Sequence, residues 1–160
     1  MFRKLIVIMV GLALPGGFVI AKGGGELVLR VATDGATFDA TSAPGGGGAF
    51  YISGVICADG DIGDPCAPIG GFHCWGWLIG PDQLAAVVLQ EYDLDGRGKI
   101  QVQGVEDEGP RAVTGGTGDF RKARGEATGF DLSDLFVGGE FIATFKLEGV
   151  KGKGKGKGKD

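Results

Sequence analysis

Residues 111–127 read RAVTGGTGDFRKARGEA, and this stretch decides the fold. A strand-like lead-in enters the small residues GGTG at positions 115–118, and Phe120 follows shortly after. One interpretation is a glycine turn that binds the phosphates of a dinucleotide. The other is a sharp bend between two strands of a small antiparallel barrel. The two interpretations lead to different functions.

The residues around the glycines exclude the dinucleotide interpretation. The pattern G-x-G-x-x-G needs a glycine where Arg121 stands. The turn should also open a helix, but Gly125 and Gly129 follow, and glycine is a poor helix former. About forty residues remain after the turn, too few for the parallel strands and crossover helices of such a sheet. The sequence therefore predicts a bend between strands.

The rest of the chain has the pattern of an all-β protein. Short apolar or alternating runs are separated by glycine, proline and aspartate. Residues 141–147 alternate most clearly, with Phe141 and Phe145 on one face. Eight antiparallel strands in about 125 residues fit a closed barrel, which leaves no exposed sheet edge. We predict strands near 26–34, 49–57, 71–79, 84–93, 98–104, 111–115, 121–132 and 140–149.

The two ends of the chain differ in composition from the barrel region. Arg3 and Lys4 precede an apolar stretch with small residues at Val19 and Ala21, which predicts a signal peptide over residues 1–21 and an exported protein. The barrel domain is predicted over 22–150. Residues 151–160, KGKGKGKGKD, are of low complexity and predict a disordered Lys-Gly tail, which either solubilises the chain or contacts cell-surface polyanions.

Charge and cysteine content narrow the partners. The chain has 20 acidic and 16 basic residues, and five of the basic residues are the lysines of the tail. An acidic body argues against nucleic acid as a partner. Three cysteines in an exported chain predict one disulfide and one free thiol. Cys57–Cys66 and Cys66–Cys74 are both open as pairings.

Several of these residues resemble two plant protein families. GGTGDFRKARGEA resembles the GGTG-x-F-x-x-A-x-G segment of dirigent proteins. GKIQVQGVEDEGPRAVTGGTGDF resembles a strand pair of allene oxide cyclases, and TFKLEG is similar to their closing strand. The likeness covers roughly residues 87–149. It implies an eight-stranded, calycin-like antiparallel barrel, usually assembled as a trimer, so a homotrimer or homodimer is expected.

The resemblance carries few functional residues to this chain. The cyclases hold their epoxide with a glutamate and an asparagine on the first strand, and residues 27–32 contain neither. They also have a tyrosine just after the VQG step, where this chain has Val105 and Glu106. Dirigent proteins use acidic and basic side chains inside the barrel to orient reactive intermediates. On that resemblance, Asp119 and Arg124 are candidate catalytic residues.

An aromatic segment supplies further candidates. Strand alternation places His73, Trp75 and Trp77 on one face of the segment FHCWGW. The three side chains either form the wall of an aromatic pocket, with His73 exchanging protons, or pack into a core or a subunit interface. For the pocket we expect Trp75, Trp77, Tyr92 and Phe120 as ligand-binding residues.

Other polar clusters do not indicate a site. One histidine with spaced cysteines does not form a zinc set, and the loop aspartates at 59–64 and 93–95 are better explained as turn residues than as calcium ligands. Glu106 and its neighbours 107–108 are interpreted as a solvated bend. No metal and no cofactor are expected.

The sequence leaves two functions open. The first is an exported barrel that binds a small, largely apolar or aromatic molecule in its interior. The second is an isomerase, cyclase or stereo-directing coupling protein that acts without a cofactor by holding one conformer of a reactive intermediate. A non-catalytic version of the first function is a barrel that serves only in attachment or assembly.

Overall fold

Runs of β-branched and aromatic residues between glycine and aspartate turns form eight strands in the computed structural model, which describes residues 25–39, 48–58, 62–79, 85–106, 109–129 and 138–150. The strands are β1 (Gly25–Asp39), β2 (Ala49–Cys57), β3 (Pro68–Ile79), β4 (Ala85–Leu94), β5 (Gly98–Glu106), β6 (Arg111–Gly116), β7 (Arg124–Thr128) and β8 (Gly139–Glu148).

The strands close into a barrel in chain order. Each strand pairs antiparallel with the next, and β8 pairs with β1 along the register from Gly25↔Leu147 to Thr33↔Gly139. The predicted eight-stranded antiparallel barrel is confirmed. The seventh strand is shorter than the predicted 121–132, because a 3-10 helix at Gly118–Phe120 and a turn at residues 121–122 come first.

The glycine-rich stretch is a bend between antiparallel strands, as the sequence predicts. β6 ends at Gly116, the 3-10 helix follows, and β7 returns beside β6 from Arg124. Gly118 has φ +56°, and a Cβ there would lie 2.2 Å from the carbonyl oxygen of Arg97. Only glycine tolerates both the positive φ and the close approach. These glycines are therefore required by the backbone conformation of the bend.

The barrel has two distinct ends. One, the hairpin end, carries the turn between β4 and β5 and the 3-10 helix. Phe120 is buried there, with the Arg97 guanidinium 5.1 Å above its ring. The other, the far end, is where β5 ends and β6 begins. Between them, inward-facing positions of every strand form one core that includes Leu29, Val31, Ile52, Ile56, Phe72, Val88, Tyr92, Leu94, Ile100, Val102, Val113, Ala127, Phe141 and Phe145.

One disulfide fixes the loop between β2 and β3. Cys57 and Cys66 are bonded, while Cys74 is a buried free thiol, so the prediction of one bridge and one thiol is confirmed and the pairing is settled. Arg30 donates to the carbonyl of Pro65 at 3.3 Å, which holds the loop against the outside of β1. The predicted signal peptide and tail lie outside the described residues. No helix within the described ranges has the length and apolar character of a membrane span.

Candidate functional site

Charged and polar side chains face the barrel interior near the far end. Glu106 is the last residue of β5 and Arg111 the first of β6, and both side chains are buried. Gln90 on β4 is buried beside them. Strand alternation explains their direction, because Val102 and Val113, an even number of residues away, also face inward. The pattern that builds the core therefore also puts a carboxylate and a guanidinium inside it.

These side chains form one hydrogen-bonded cluster. Oε1 of Glu106 accepts a hydrogen bond from Nε2 of Gln90 at 2.8 Å and one from Nη1 of Arg111 at 3.4 Å. The Tyr92 hydroxyl donates to Oε1 of Gln90 at 3.2 Å. The thiol of Cys74 on β3 lies next to these groups, so that the cluster with Cys74 draws on four strands. We call Cys74, Gln90, Tyr92, Glu106 and Arg111 the interior cluster.

The absence of a side chain at Gly104 makes room for Arg111. A Cβ at Gly104 would lie 2.9 Å from Cγ of Arg111, so the arginine stem lies against this glycine. Gly104 sits two residues before Glu106 on the same inward face of β5. Any larger residue at 104 would push the guanidinium away from the carboxylate. Gly104 therefore helps to keep Arg111 beside Glu106.

The environment keeps the Tyr92 hydroxyl and the Cys74 thiol of the interior cluster protonated. Burial raises the pKa of the Tyr92 hydroxyl well above its ordinary value, although the positive charge of Arg111 opposes the shift. Burial likewise raises the pKa of the Cys74 thiol, and the nearby Glu106 carboxylate adds to the effect. Both groups are therefore hydrogen-bond donors rather than nucleophilic anions at neutral pH.

Aromatic rings make up the apolar part of the interior next to this cluster. The ring of Tyr92 lies 4.9 Å from that of Phe72 and 4.9 Å from that of Phe145, the second contact being edge-to-face. Phe72 in turn meets Phe141 edge-on at 5.4 Å. The interior therefore combines a packed group of aromatic rings with a charged pair at one end.

The structure brings only one of the predicted site residues into the interior cluster, which is Tyr92. Phe120 is also buried, but at the hairpin end. Asp119 pairs with Arg97 at 3.3 Å beside the 3-10 helix, also at the hairpin end. Arg124 is exposed and donates to the carbonyl of its neighbour Ala123 at 2.6 Å. Asp119 and Arg124 thus lie apart from Tyr92 and its partners.

The predicted aromatic residues of β3 point outward. His73, Trp75 and Trp77 alternate with the buried Phe72 and Cys74, as predicted, but theirs is the outer face. Nδ1 of His73 lies 2.7 Å from the hydroxyl of Tyr51, and the Trp75 ring lies 5.8 Å from the His73 ring and 5.6 Å from that of Tyr51. They form an aromatic group on the barrel wall, outside the interior.

Sequence reasoning missed Glu106, Arg111 and Gln90. The interpretation of Glu106 as part of a solvated bend is wrong, since the residue is 2 % exposed and ends a strand. The signal was present as alternation, because Ile100 and Val102 set a register that continues inward to Glu106. Within the described residues, no group of three or more His, Cys, Asp or Glu side chains is placed to hold a metal ion.

Comparisons with solved structures support the fold. The chain is similar to pyocyanin demethylase, with a TM-score of 0.57 and 22% identity over 76% of this chain and 98% of that one. It is also similar to the pterocarpan synthase dirigent protein PsPTS1, with a TM-score of 0.61 and 14% identity over 81% and 97%. For the pterocarpan synthase dirigent protein GePTS1 the TM-score is 0.62, with 13% identity over 84% and 90%.

These likenesses define the class of protein and no more. The chain is a closed eight-stranded antiparallel barrel with a dirigent-like fold, as the resemblance of its glycine-rich segment implies. No protein-family profile and no curated protein sequence matches it. At these identities the common feature is the backbone, and a common fold does not fix an activity.

Proposed function

We propose that the barrel interior binds a small, largely apolar aromatic molecule whose polar group meets the interior cluster. The observation that carries this proposal is the buried pair of Glu106 and Arg111 inside a largely apolar barrel. Removing two charges from water is costly, and a well-packed apolar pair would often be at least as stable. Charged groups kept in such a place are typical of binding and catalytic sites.

The interior cluster offers both kinds of hydrogen-bonding partner. Arg111 has donor groups only, Glu106 in its charged form is an acceptor, and the Tyr92 hydroxyl is both. A hydroxyl or enol on the ligand can donate to the carboxylate while it accepts from the guanidinium. The proposal therefore specifies an aromatic ligand with an oxygen substituent rather than a plain hydrocarbon.

A pair of simple probes tests this specificity. Isothermal titration calorimetry should show that 2-naphthol binds about tenfold more tightly than naphthalene, the equivalent of one net hydrogen bond. Glu106→Gln and Tyr92→Phe should remove most of that difference, because each changes a polar contact without changing shape. Pyocyanin is a useful third probe, since one structural neighbour is named for its demethylation.

Outer-wall variants are the matched controls. Trp75→Ala and His73→Ala alter aromatic residues of β3 that face away from the interior, and they should leave naphthol affinity unchanged. Near-ultraviolet circular dichroism checks that each variant keeps its fold. Absence of binding for all three probes would refute the proposal, and so would a loss of binding in the outer-wall variants alone.

A catalytic role is the second candidate, favoured by the same carboxylate. In a cofactor-free isomerisation, Glu106 would accept a proton from one carbon or oxygen of the ligand and return it at another position, so that no atom or electron is gained or lost. Arg111 would stabilise negative charge developing on the ligand oxygen. Deuterium exchange into an enolisable ketone, lost in Glu106→Gln, would distinguish catalysis from binding alone.

Export is the third part of the proposal. The disulfide between Cys57 and Cys66 is the type of crosslink that persists in oxidising compartments, which supports the predicted signal peptide. Mass spectrometry of the protein from the producing cells should find it outside the cytoplasm, beginning at Lys22 and carrying the intact bond. A reduced protein retained in the cytoplasm with its first 21 residues would contradict export.

A further inference from the structure

Three exposed cations stand together at the hairpin end of the barrel. Arg121 and Lys122 form the turn that follows the 3-10 helix, and Arg124 is the first residue of β7. Ala123 is buried, and its N–H donates to the carbonyl of Phe120 at 2.8 Å, which fixes the turn against the core. The three charged side chains are consequently held on the outside of the barrel. We call Arg121, Lys122 and Arg124 the basic turn.

The basic turn differs from the other cations at this end of the barrel. Arg97 lies 3.3 Å from Asp119 and Lys99 lies 2.6 Å from Glu91, so both of these cations are neutralised locally. Within the described ranges, no such ion pair involves a cation of the basic turn. Its three charges therefore remain exposed to solvent and available to a partner.

The Lys-Gly tail begins beside the basic turn. β8 ends at Glu148, and a Cβ at Gly149 would lie 2.3 Å from the carbonyl oxygen of Lys122, so the chain lies directly against the turn as it leaves the sheet. Val150, the last residue before the tail, is buried and fixes the point where the tail starts. A segment of ten residues spans at most about 35 Å, so all five tail lysines stay within that distance of the turn.

The basic turn and the tail concentrate positive charge at one end of an acidic protein. The chain has 16 basic residues against 20 acidic ones, and the three residues of the turn with the five tail lysines make up half of the basic ones. A surface of one sign attracts polymers of the opposite sign. We propose that the basic turn and the Lys-Gly tail together bind an anionic polysaccharide, whose carboxylate or sulfate groups contact these cations.

The spacing of the charges favours a polysaccharide over a nucleic acid. The tail lysines alternate with glycine, so neighbouring charges are at most about 7 Å apart along the chain. Duplex DNA carries one charge per about 1.7 Å of its axis, and the acidic remainder of this chain would repel so dense a polyanion. A polysaccharide with one charged group on each or every second sugar is closer to the lysine spacing. Such polymers occur at cell surfaces, where the proposed export would bring the protein.

A lipid membrane is the competing partner for a basic segment, and the basic turn fits it less well. Stable attachment to a membrane needs a second signal beside the positive charge, such as an acyl chain or an inserted apolar side chain. The tail consists only of lysine, glycine and one aspartate. At the turn, the apolar Ala123 and Phe120 are buried and are not available for insertion. Binding by charge alone suits a soluble polyanion.

Isothermal titration calorimetry of the protein with its tail intact tests the proposal. The probes are low-molecular-weight heparin as a sulfated polysaccharide, polygalacturonate as a carboxylated one, and dextran as an uncharged control. We expect at least one of the two charged polymers to bind and dextran not to bind. The dissociation constant should rise about tenfold between 50 and 200 mM NaCl, because salt screens contacts between exposed charges.

Variants measure the shares of the basic turn and the tail. Removal of residues 151–160 should raise the dissociation constant about tenfold, and Lys122→Gln should raise it about threefold, the effect of one exposed charge contact. The matched control is Lys99→Gln, which removes the same charge from a lysine already paired with Glu91 and Asp93. That control should leave the dissociation constant unchanged.

A gain of affinity is expected from the loss of an acidic neighbour. Glu148 is exposed and stands opposite Arg124 in the pairing of β7 with β8. Its negative charge repels a polyanion held by the basic turn, so Glu148→Gln should lower the dissociation constant about twofold. None of these variants alters the interior cluster, and all should bind 2-naphthol as the wild type does. A failure of this site is thereby distinguished from a failure of the interior one.

Four results would overturn the proposal. They are failure of both charged polymers to bind, equal weakening by Lys122→Gln and Lys99→Gln, binding that depends on the tail but is unaffected by Lys122→Gln and Glu148→Gln, and tighter binding to phosphatidylglycerol vesicles than to either polymer.

Discussion

The two faces of the central strands β3 to β5 reverse the usual distribution of residues. Inward from these strands, Gln90 and Glu106 are fully enclosed. Outward from them, Trp77 and Val105 meet solvent. Charged side chains are rarely buried, and a contiguous apolar surface is rarely left exposed. Each exception costs stability in the isolated chain, and natural proteins keep such exceptions mainly at functional sites.

The largest effect is expected from breaking the charged pair inside the barrel. Arg111→Met keeps an unbranched apolar stem but removes the cation that stands 3.4 Å from the Glu106 carboxylate. A charge left in a buried site after loss of its partner typically costs about 3–5 kcal/mol. Urea unfolding should show a loss of that size in the free energy of unfolding.

The double variant separates charge from packing. Glu106→Leu combined with Arg111→Met replaces both charges with apolar groups, and it should recover most of the lost stability. On the outer wall, the exposed Arg124→Met should change stability by less than about 0.5 kcal/mol. If the double variant is as unstable as the single one, packing rather than charge explains the site.

Alanine substitutions at two glycines of β3 compare the packing of the inner and outer faces, because each adds one methyl group. A Cβ at the inward Gly76 would lie 2.2 Å from Cζ of the buried Phe50 ring, so Gly76→Ala should destabilise by about 1–3 kcal/mol through overpacking. At the outward Gly71 the nearest atom is Nε2 of His73 at 3.8 Å. Gly71→Ala should be neutral or stabilise by up to about 0.5 kcal/mol. Thermal melts of the two variants provide the test, and equal losses would mean that the inner face is not the tighter one.

The fold was predictable because its signals are local. The residues that follow the glycines at 115–118 exclude a helix-opening turn and leave a bend, and in the structure Gly118 has a positive φ and lies too close to the Arg97 carbonyl oxygen for a side chain. The alternation of Phe141 and Phe145 in β8 matches their inward positions. The barrel closes because β8 pairs with β1. The number of predicted strands and the length of the chain were enough to predict this closure.

The interior cluster was not predictable from hydropathy. Glu106 and Arg111 obey strand alternation, but their charge indicates solvent, and the charge was given more weight than the register. Gln90 joins them through the pairing of β4 with β5, which places it opposite Val102. The sequence also did not determine whether the aromatic residues of β3 face the interior or the solvent, because alternation assigns side chains to two faces without showing which face is inside. The way the sheet closes into a barrel determines that.

Alkaline pH tests the inner face through Tyr92. Its pKa is raised by burial above the ordinary value of 10.0, so the folded state keeps the proton that the unfolded state loses. This stabilisation is fully present below pH 10 and is lost progressively between pH 10 and the folded pKa, because in that range the unfolded chain binds fewer protons than the folded chain. At pH 11 the loss is about 1.4 kcal/mol. Tyr92→Phe should remove that part of the decline in urea unfolding between pH 9 and 11, and an unchanged slope would show that the hydroxyl is not buried.

Among the losses of a side-chain contact, the smallest is expected on the outer face, from Tyr51→Phe. The Tyr51 hydroxyl lies 2.7 Å from Nδ1 of His73 on a partly exposed wall, where water can replace a lost partner. The free energy of unfolding should therefore fall by no more than about 1 kcal/mol. The tilted ring contact between Tyr51 and Trp75, with centroids 5.6 Å apart, persists without the hydroxyl. A larger loss of stability from Tyr51→Phe than from Gly76→Ala would reverse the ranking of the two faces.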